Sequence, residues 1–230
     1  MSYNGSKANC YQRIINYMPP HAVYVETHAG SAAVAKNKKP AQQNILIDID
    51  PTVTAQLTAD IGSSVYVVEQ ADCVDWLHGH TVTPDTLIYS DPPYVMSSRS
   101  CERNIYAHEY TDDDHVRLLE CLKSLDCMVL ISGYDSELYN DMLPGWNVAT
   151  FTAQSRGGIR TEYLWYNYPE PMELHDYSYL GYTFTERQRI KRKASRWSDR
   201  FQALPLLERQ AIIHQLQTDG IIDSPDYGGR

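Results

Sequence analysis

No stretch of this 230-residue chain approaches the roughly 18 consecutive apolar residues that a membrane-spanning helix requires, so a transmembrane segment is not expected. The opening residues Met1-Ser2-Tyr3-Asn4-Gly5-Ser6-Lys7 contain no apolar core of the kind a secretory signal carries, which predicts a cytoplasmic protein. Cysteine is sparse and odd in number. Cys10, Cys73, Cys101, Cys121 and Cys127 form no C-x-x-C, which argues against a zinc cluster and against a disulfide framework, and predicts reduced, packed thiols. A G-x-G-x-x-G is missing too, which disfavours a plain dinucleotide-binding oxidoreductase. Positive charge is in deficit: 20 Lys and Arg face 29 Asp and Glu, and a net charge of −9 excludes a uniformly basic nucleic-acid binder.

The positive charge that exists is concentrated. Between Glu186 and Arg200 stand Arg187, Arg189, Lys191, Arg192, Lys193, Arg196 and Arg200, against only Glu186 and Asp199. Two readings fit such a helix, a solvated face and a local grip on phosphates. The length suits one main domain with an appendage.

Along the chain, strands alternate with helices. A helix is expected over 8–17, ended by Pro19-Pro20, then strands over 23–26, 44–48, 65–68, 87–90 and 127–132. Between them lie a helix over 51–60 with proline in its first turn, one capped by Thr111-Asp112-Asp113-Asp114 and running to about 125, and a short one over 135–142. Two strands, 146–152 and 161–168, flank a loop containing Gly157-Gly158. The pattern predicts an α/β fold with a mostly parallel sheet and an antiparallel edge hairpin. Pro169 and Pro171 place a boundary between a domain over 1–168 and an extension over 169–230, which holds a Tyr-rich linker, the basic helix and an apolar helix over 206–216. The apolar helix serves either docking on its own sheet or homodimerisation.

Behind the apolar run Leu87-Ile88-Tyr89 comes Asp91-Pro92-Pro93-Tyr94. The prolines stop the strand, so the Asp91 carboxylate and the Pro92 carbonyl project from its carboxyl end, the edge where open α/β sheets bind ligands. Two acceptors beside an aromatic face suit a planar group bearing an NH2: the acceptors take both amino hydrogens while Tyr94 stacks on the ring. By itself the tetrapeptide is equally readable as a Pro-rich turn.

Its neighbourhood decides. Tyr3 to Lys7, Val25-Glu26-Thr27-His28-Ala29-Gly30-Ser31-Ala32, Ile45 to Asp50, Ala71-Asp72-Cys73, Asp91 to Tyr94, Val129 to Asp135 and Ser155 to Arg160 fall in an order that resembles the Dam-type (D12 class) adenine-N6 DNA methyltransferases, over roughly residues 1–168. The resemblance implies a Rossmann-like S-adenosylmethionine-dependent methyltransferase fold. It also implies that Tyr3, Lys7, Glu26, Ala29, Gly30, Asp48, Asp72 and Asp91 hold S-adenosylmethionine, with Glu26 at its α-ammonium, Lys7 at its carboxylate and Asp48 at its ribose. Asp72 is readable either as the acceptor for the cofactor's adenine amine or as a helix cap. The catalytic residues would be Asp91, Pro92 and Tyr94, acting on an adenine flipped out of DNA, with no metal required. Arg156 and Arg160 in the hairpin and Lys191, Arg192, Lys193 and Arg196 in the basic helix would contact nucleic acid, and the segment 106–115 would close over the target base.

The sequence departs from the family pattern at Thr27, His28 and Ala32, and His28 is read as loop packing. The recognition domain that the family usually carries between its acidic strand and its tetrapeptide is missing or reduced, because core elements fill the interval 49–90. RNA adenine-N6 methylation and a non-catalytic nucleic-acid-binding relative remain as alternatives.

Overall fold

The computed structural model describes residues 5–61, 65–99, 107–155 and 158–222, and divides the chain into two compact units, 1–179 and 180–230. In the first unit, β1 (Val23–Thr27), β2 (Gln43–Asp48), β3 (Val67–Gln70), β4 (Thr86–Ser90), β5 (Met128–Gly133), β6 (Asn147–Ser155) and β7 (Gly158–Tyr166) form one sheet of order β3-β2-β1-β4-β5-β7-β6. β1 to β5 are parallel, and β7 enters antiparallel between β5 and β6. This is the expected α/β, Rossmann-like arrangement with an antiparallel edge hairpin.

Both faces of the sheet are covered, which is why its central strands read as unbroken apolar runs. All five residues of β4 are buried. Leu87 and Tyr89 join one core with Ile14, Ile15, Met18, Leu46 and Leu130. Ile88 points to the other, with Leu118, Leu122, Val129, Ile131 and Trp165. The first core is roofed by α1 (Tyr11–Ile15), α2 (Ala33–Asn37) and α3 (Pro51–Ile61), the second by α4 (Cys73–Gly79), α5 (Asp112–Ser124) and α6 (Glu137–Met142).

The helix starts follow local chemistry. Thr111 and Asp114 form a reciprocal capping box on α5, Ser136 accepts from Tyr139 N on α6, and Asp50 accepts from Thr52 N at the start of α3. The helix expected over 8–17 is broken into a 3-10 turn, Lys7–Asn9, and the short α1, because Cys10 lies between them at φ −140°. The third strand sits two residues later than expected. The hairpin strands run longer, paired from Asn147↔Tyr166 to Ser155↔Gly158. At the end of β5, Gly133 admits the indole of Trp165, which would lie 3.0 Å from any Cβ there.

Residues 169–179 belong to the first unit. His175 N donates to Met18 O, Lys39 N to Asp176 Oδ2, and the Tyr179 hydroxyl to Asn37 O. The second unit contains α7 (Phe184–Gln202), capped by Thr183, and α8 (Leu206–Thr218). No helix among the described residues is long and apolar enough to cross a membrane. Cys10, Cys73, Cys121 and Cys127 are free thiols, and Cys101 lies outside the described residues.

Candidate active site

The chain winds outward from β1 through β2 to β3, then returns to place β4 on the other side of β1. Between the carboxyl ends of β1 and β4 the crossovers diverge, and a crevice must open there. It is a cleft of about 1110 Å³, and Asp91, one residue beyond β4, lies on its wall. Lys7, Glu26, Ala29 and Gly30 line it, as do Asp48, Asp72 and Pro92. The topology thus brings to one place eight residues singled out from separate stretches of sequence.

The Asp91 carboxylate is gripped from two sides. Lys7 Nζ donates to both of its oxygens at 2.6 Å, and to Gly5 O at 3.1 Å. Ser132 Oγ, on β5, donates to Oδ1 at 2.7 Å and shares a 3.0 Å hydrogen bond with the Tyr89 hydroxyl. Tyr94 is buried, with its hydroxyl donating to Glu162 Oε2 at 2.6 Å and its ring meeting Tyr134 edge-on. Lys7 Nζ lies 5.0 Å from the centre of the Tyr94 ring. Burial alone would lower the Lys7 pKa, but the carboxylates of Asp91 and Glu162 overcome it and hold the ammonium charged. Burial raises the Glu162 carboxyl above its usual range, with Lys7 and the Tyr94 hydrogen bond opposing. One ammonium therefore serves two carboxylates, the half-buried Asp91 and the buried Glu162.

Across the cleft, Glu26 on β1 is buried and its orientation is fixed. Oε2 accepts from the Tyr24 hydroxyl at 2.7 Å and from Ala35 N at 3.0 Å, and these are its hydrogen bonds among the described residues, leaving Oε1 free for a ligand. Burial pushes its pKa up to about 7, against the pull of those two hydrogen bonds.

The following loop turns tightly. His28, Gly30 and Ala32 all have left-handed φ, of 58°, 50° and 49°. At Ala32 the backbone adopts a conformation that favours glycine, at a cost of roughly 1 kcal/mol. The turn aims Gly30 N at Asp48 Oδ2, 2.8 Å away, while Asp48 Oδ1 accepts from Asp50 N at 3.0 Å. Burial raises the Asp48 pKa, and those two backbone donors oppose it. Asp72 caps α4 by accepting from Val74 N and Asp75 N, and its other oxygen takes Arg117. Those bonds and the guanidinium outweigh its desolvation, so its pKa falls.

The opposite wall is formed by residues 107–110. His28 Nε2 meets the Tyr110 hydroxyl at 2.7 Å, and Cys73 Sγ lies 3.5 Å from the same nitrogen. Burial pushes the His28 pKa down to about 4, so the ring is neutral and packs the loop against this wall. The base of the wall is pinned by Arg99, which donates to Tyr94 O at 2.6 Å and pairs with Glu109 at 2.7 Å.

Tyr3 and Arg156 lie outside the described residues, as does Tyr106 of the segment expected over the target base. Arg160 stands on β7 opposite Ala153, away from the cleft lining. Lys191, Arg192, Lys193 and Arg196 are exposed on α7 in the second unit, where the described ion pair is instead Arg189 with Glu186.

Sequence reasoning assigned no role to Ser132 or Glu162. Glu162 had a signal: it shares strand parity with buried Leu164 and Tyr166, so it is a carboxylate on an apolar face.

No family model matches the chain. A 78-residue segment, 32% of the chain, is 36% identical to the type II methyltransferase M1.LlaDCHI of Lactococcus lactis subsp. cremoris and spans 28% of that protein's length. Among solved structures, the 23S rRNA methyltransferase ErmE covers 78% of this chain and 72% of its own at 13% identity, with a TM-score of 0.43. Magnesium protoporphyrin IX methyltransferase from Synechocystis PCC 6803, with bound S-adenosylmethionine, covers 65% of this chain and 71% of its own at 8% identity and a TM-score of 0.44. A Leishmania major S-adenosylmethionine-dependent methyltransferase covers 68% of this chain and 69% of its own at 14% identity and a TM-score of 0.45. The α/β class stands on the chain's own strand order and on the cleft that this order opens.

Proposed function

We propose that this protein is an S-adenosylmethionine-dependent methyltransferase that acts on the N6 amine of adenine in DNA. The observation that carries the reading is Asp91: a carboxylate at the β1/β4 switch point, followed by Pro92-Pro93-Tyr94 and facing, across one cleft, a buried glutamate with a free oxygen.

The cleft residues fit the cofactor. The free Oε1 of Glu26 is an acceptor for its ammonium, and Gly30 and Asp48 sit where its ribose and the adjoining backbone would lie. Bound there, the cofactor would supply a sulfonium methyl group, its S–C bond breaking as the N–C bond to the amine forms. The chain's part is to present that nitrogen. Asp91 and the Pro92 carbonyl accept the two amino hydrogens, which turns the lone pair out of the ring's conjugation, and Tyr94 supplies an aromatic face for the base. Lys7 and Ser132 set the direction of the Asp91 oxygens beforehand. Among the described residues Oδ2 of Asp91 accepts from Lys7 alone, which leaves it capacity for one amino hydrogen. The amine becomes acidic only as it gains the methyl group, so its proton leaves late, along the hydrogen bond to Asp91 and from there to the water of the cleft.

An adenine within a duplex must be flipped to reach this site. The interval 49–90 is occupied by α3, β3, α4 and β4, so base reading falls to the segment 95–110, the β6–β7 hairpin or α7. Phosphate contacts are assigned to Lys191, Arg192, Lys193 and Arg196 on α7, along with Arg156 and Arg160.

Incubation with labelled S-adenosylmethionine and unmethylated DNA or RNA in parallel, followed by mapping of the modified base, tests this reading. Label on adenine N6 of DNA, lost in Asp91→Ala, is expected. Label on RNA alone would move the substrate, and wild-type transfer by Asp91→Ala would remove the assignment. Charge reversal at Lys191, Arg192 and Arg196 should weaken DNA binding and flatten its salt dependence.

A further inference from the structure

Behind Glu26 stands a lysine that the transfer reaction does not use. Lys38 follows α2 and is only 4% exposed, yet among the described residues it makes no salt bridge. Its ammonium donates to Lys39 O at 2.9 Å and rests 4.1 Å from the centre of the Tyr24 ring. At the far end of that ring the Tyr24 hydroxyl donates to Glu26 Oε2 at 2.7 Å. A buried cation thus sits on the face of the aromatic ring whose hydroxyl bonds the carboxylate of the cleft. Burying an ammonium on a single carbonyl is costly, and an apolar side chain would fill the same space at less cost. The charge itself is therefore what the site retains.

We propose, resting on the reading of Glu26 as the acceptor for the cofactor's ammonium, that Lys38 is a positioning residue that keeps Glu26 ionised by acting through Tyr24. The groups that face Glu26 are Tyr24 from β1, Tyr66 ahead of β3, Tyr89 from β4, Asp91 beyond it, and Lys38. Of these, Lys38 is the cation that favours the charged carboxylate, whereas Asp91 opposes it. Facing Lys38 in turn are Glu26, Asp176 and the stacked rings of His21 and His175, whose centres are 3.9 Å apart. Burial brings Glu26 up to about 7 and Lys38 down to about 8, so each sits where its partner's charge decides its state. Lys38 also adjoins the clasp in which Lys39 N meets Asp176, so a purely structural role is the competing explanation.

Calorimetric binding of S-adenosylhomocysteine, which carries the same ammonium and carboxylate, separates the two across pH 5.5–8.5 in the full chain. Wild-type affinity should fall on the acid side with a midpoint near that of Glu26. In Lys38→Met the midpoint should rise by about one pH unit, which lowers affinity at pH 7 about fivefold and leaves it nearly unchanged at pH 8.5. Lys38→Arg should restore the wild-type profile. A Lys38→Met midpoint equal to wild type, or a uniform loss at every pH, overturns the proposal. If Lys38→Met does not fold, Lys38→Gln decides in its place, since it too removes the charge and must raise the midpoint, and an unmoved midpoint overturns the relay. Failure of the wild-type protein to bind the ligand at any pH would instead overturn the reading of the cleft itself.

Discussion

Removing either partner of the Lys7–Asp91 pair should expose how much of the fold's stability is committed to this site. Lys7 is 7% exposed and the Asp91 side chain 16%, and two 2.6 Å charge-assisted hydrogen bonds join them. In Asp91→Ala, Lys7 keeps one bond to Gly5 O and the more distant charge of Glu162, while Ser132 loses its acceptor. A buried charge stripped of its partner costs about 3–5 kcal/mol, and the surviving Glu162 places this case near the lower end, at about 3 kcal/mol. Lys7→Met leaves Asp91 with Ser132 and with access to the water of the cleft, so about 2 kcal/mol is expected. The double variant removes both charges together and should cost no more than about 2 kcal/mol, which leaves a coupling of about 3 kcal/mol where independent sites would add to within a few tenths. Urea unfolding followed by tryptophan fluorescence measures all four species. Single-variant losses under about 0.5 kcal/mol, or additive losses, would refute the buried pair as described.

Two further outcomes follow from the same network. Tyr94→Phe should retain methyl transfer while losing about 1–2 kcal/mol of stability, because the buried Glu162 carboxyl loses its hydroxyl donor, whereas Tyr94→Ala should lose transfer as well; equal activities would remove the aromatic face from the proposed mechanism. His115 is fully buried beside the Tyr139 hydroxyl and its pKa is pushed down by burial to about 4. The unfolded chain therefore takes up this proton at about pH 6.5 and the folded chain only near pH 4, so the contribution of His115 to stability falls as pH drops through that window. Wild-type stability should decline more steeply there than that of His115→Gln, by up to about 1.4 kcal/mol per pH unit, and parallel stability–pH curves would contradict a buried neutral ring.

The parts of this molecule that were readable from sequence are those whose causes are local. Leu87 to Ser90 announces a central strand by its unbroken apolar run, Thr111 to Asp114 announces a helix start, and Asp50-Pro51 another, because caps and prolines act within a turn of chain. Asp48 and Asp91 were readable as residues of the cleft lining for a related reason: a polar residue at the carboxyl end of an apolar strand has few other places to go. What escaped was set across the sheet. The chain beyond Cys10 has helical periodicity through Tyr17, but Cys10 itself breaks the helix before it. Ser132 meets Asp91 only because β5 lies next to β4, and Glu162 meets Tyr94 only because β7 is inserted antiparallel between β5 and β6. Neither adjacency leaves a mark on the residues themselves beyond a carboxylate at a buried parity. Asp72 shows the limit from the other side, since its capping bonds to Val74 and Asp75 were as readable as any ligand role.

The network around Asp91 draws on positions 7, 91, 132 and 162, and so has a consequence for how the protein comes into being. Contacts so far apart in sequence form late, after the loop-closure entropy of the whole sheet has been spent. On the ribosome, no intermediate that lacks β7 can hold Tyr94 by its hydroxyl, and one that lacks β5 leaves Asp91 to Lys7 alone. A chain released early would carry every residue of the tetrapeptide without the full set of supports that aims it, and the complete network should therefore appear in one step with completion of the seven-stranded sheet.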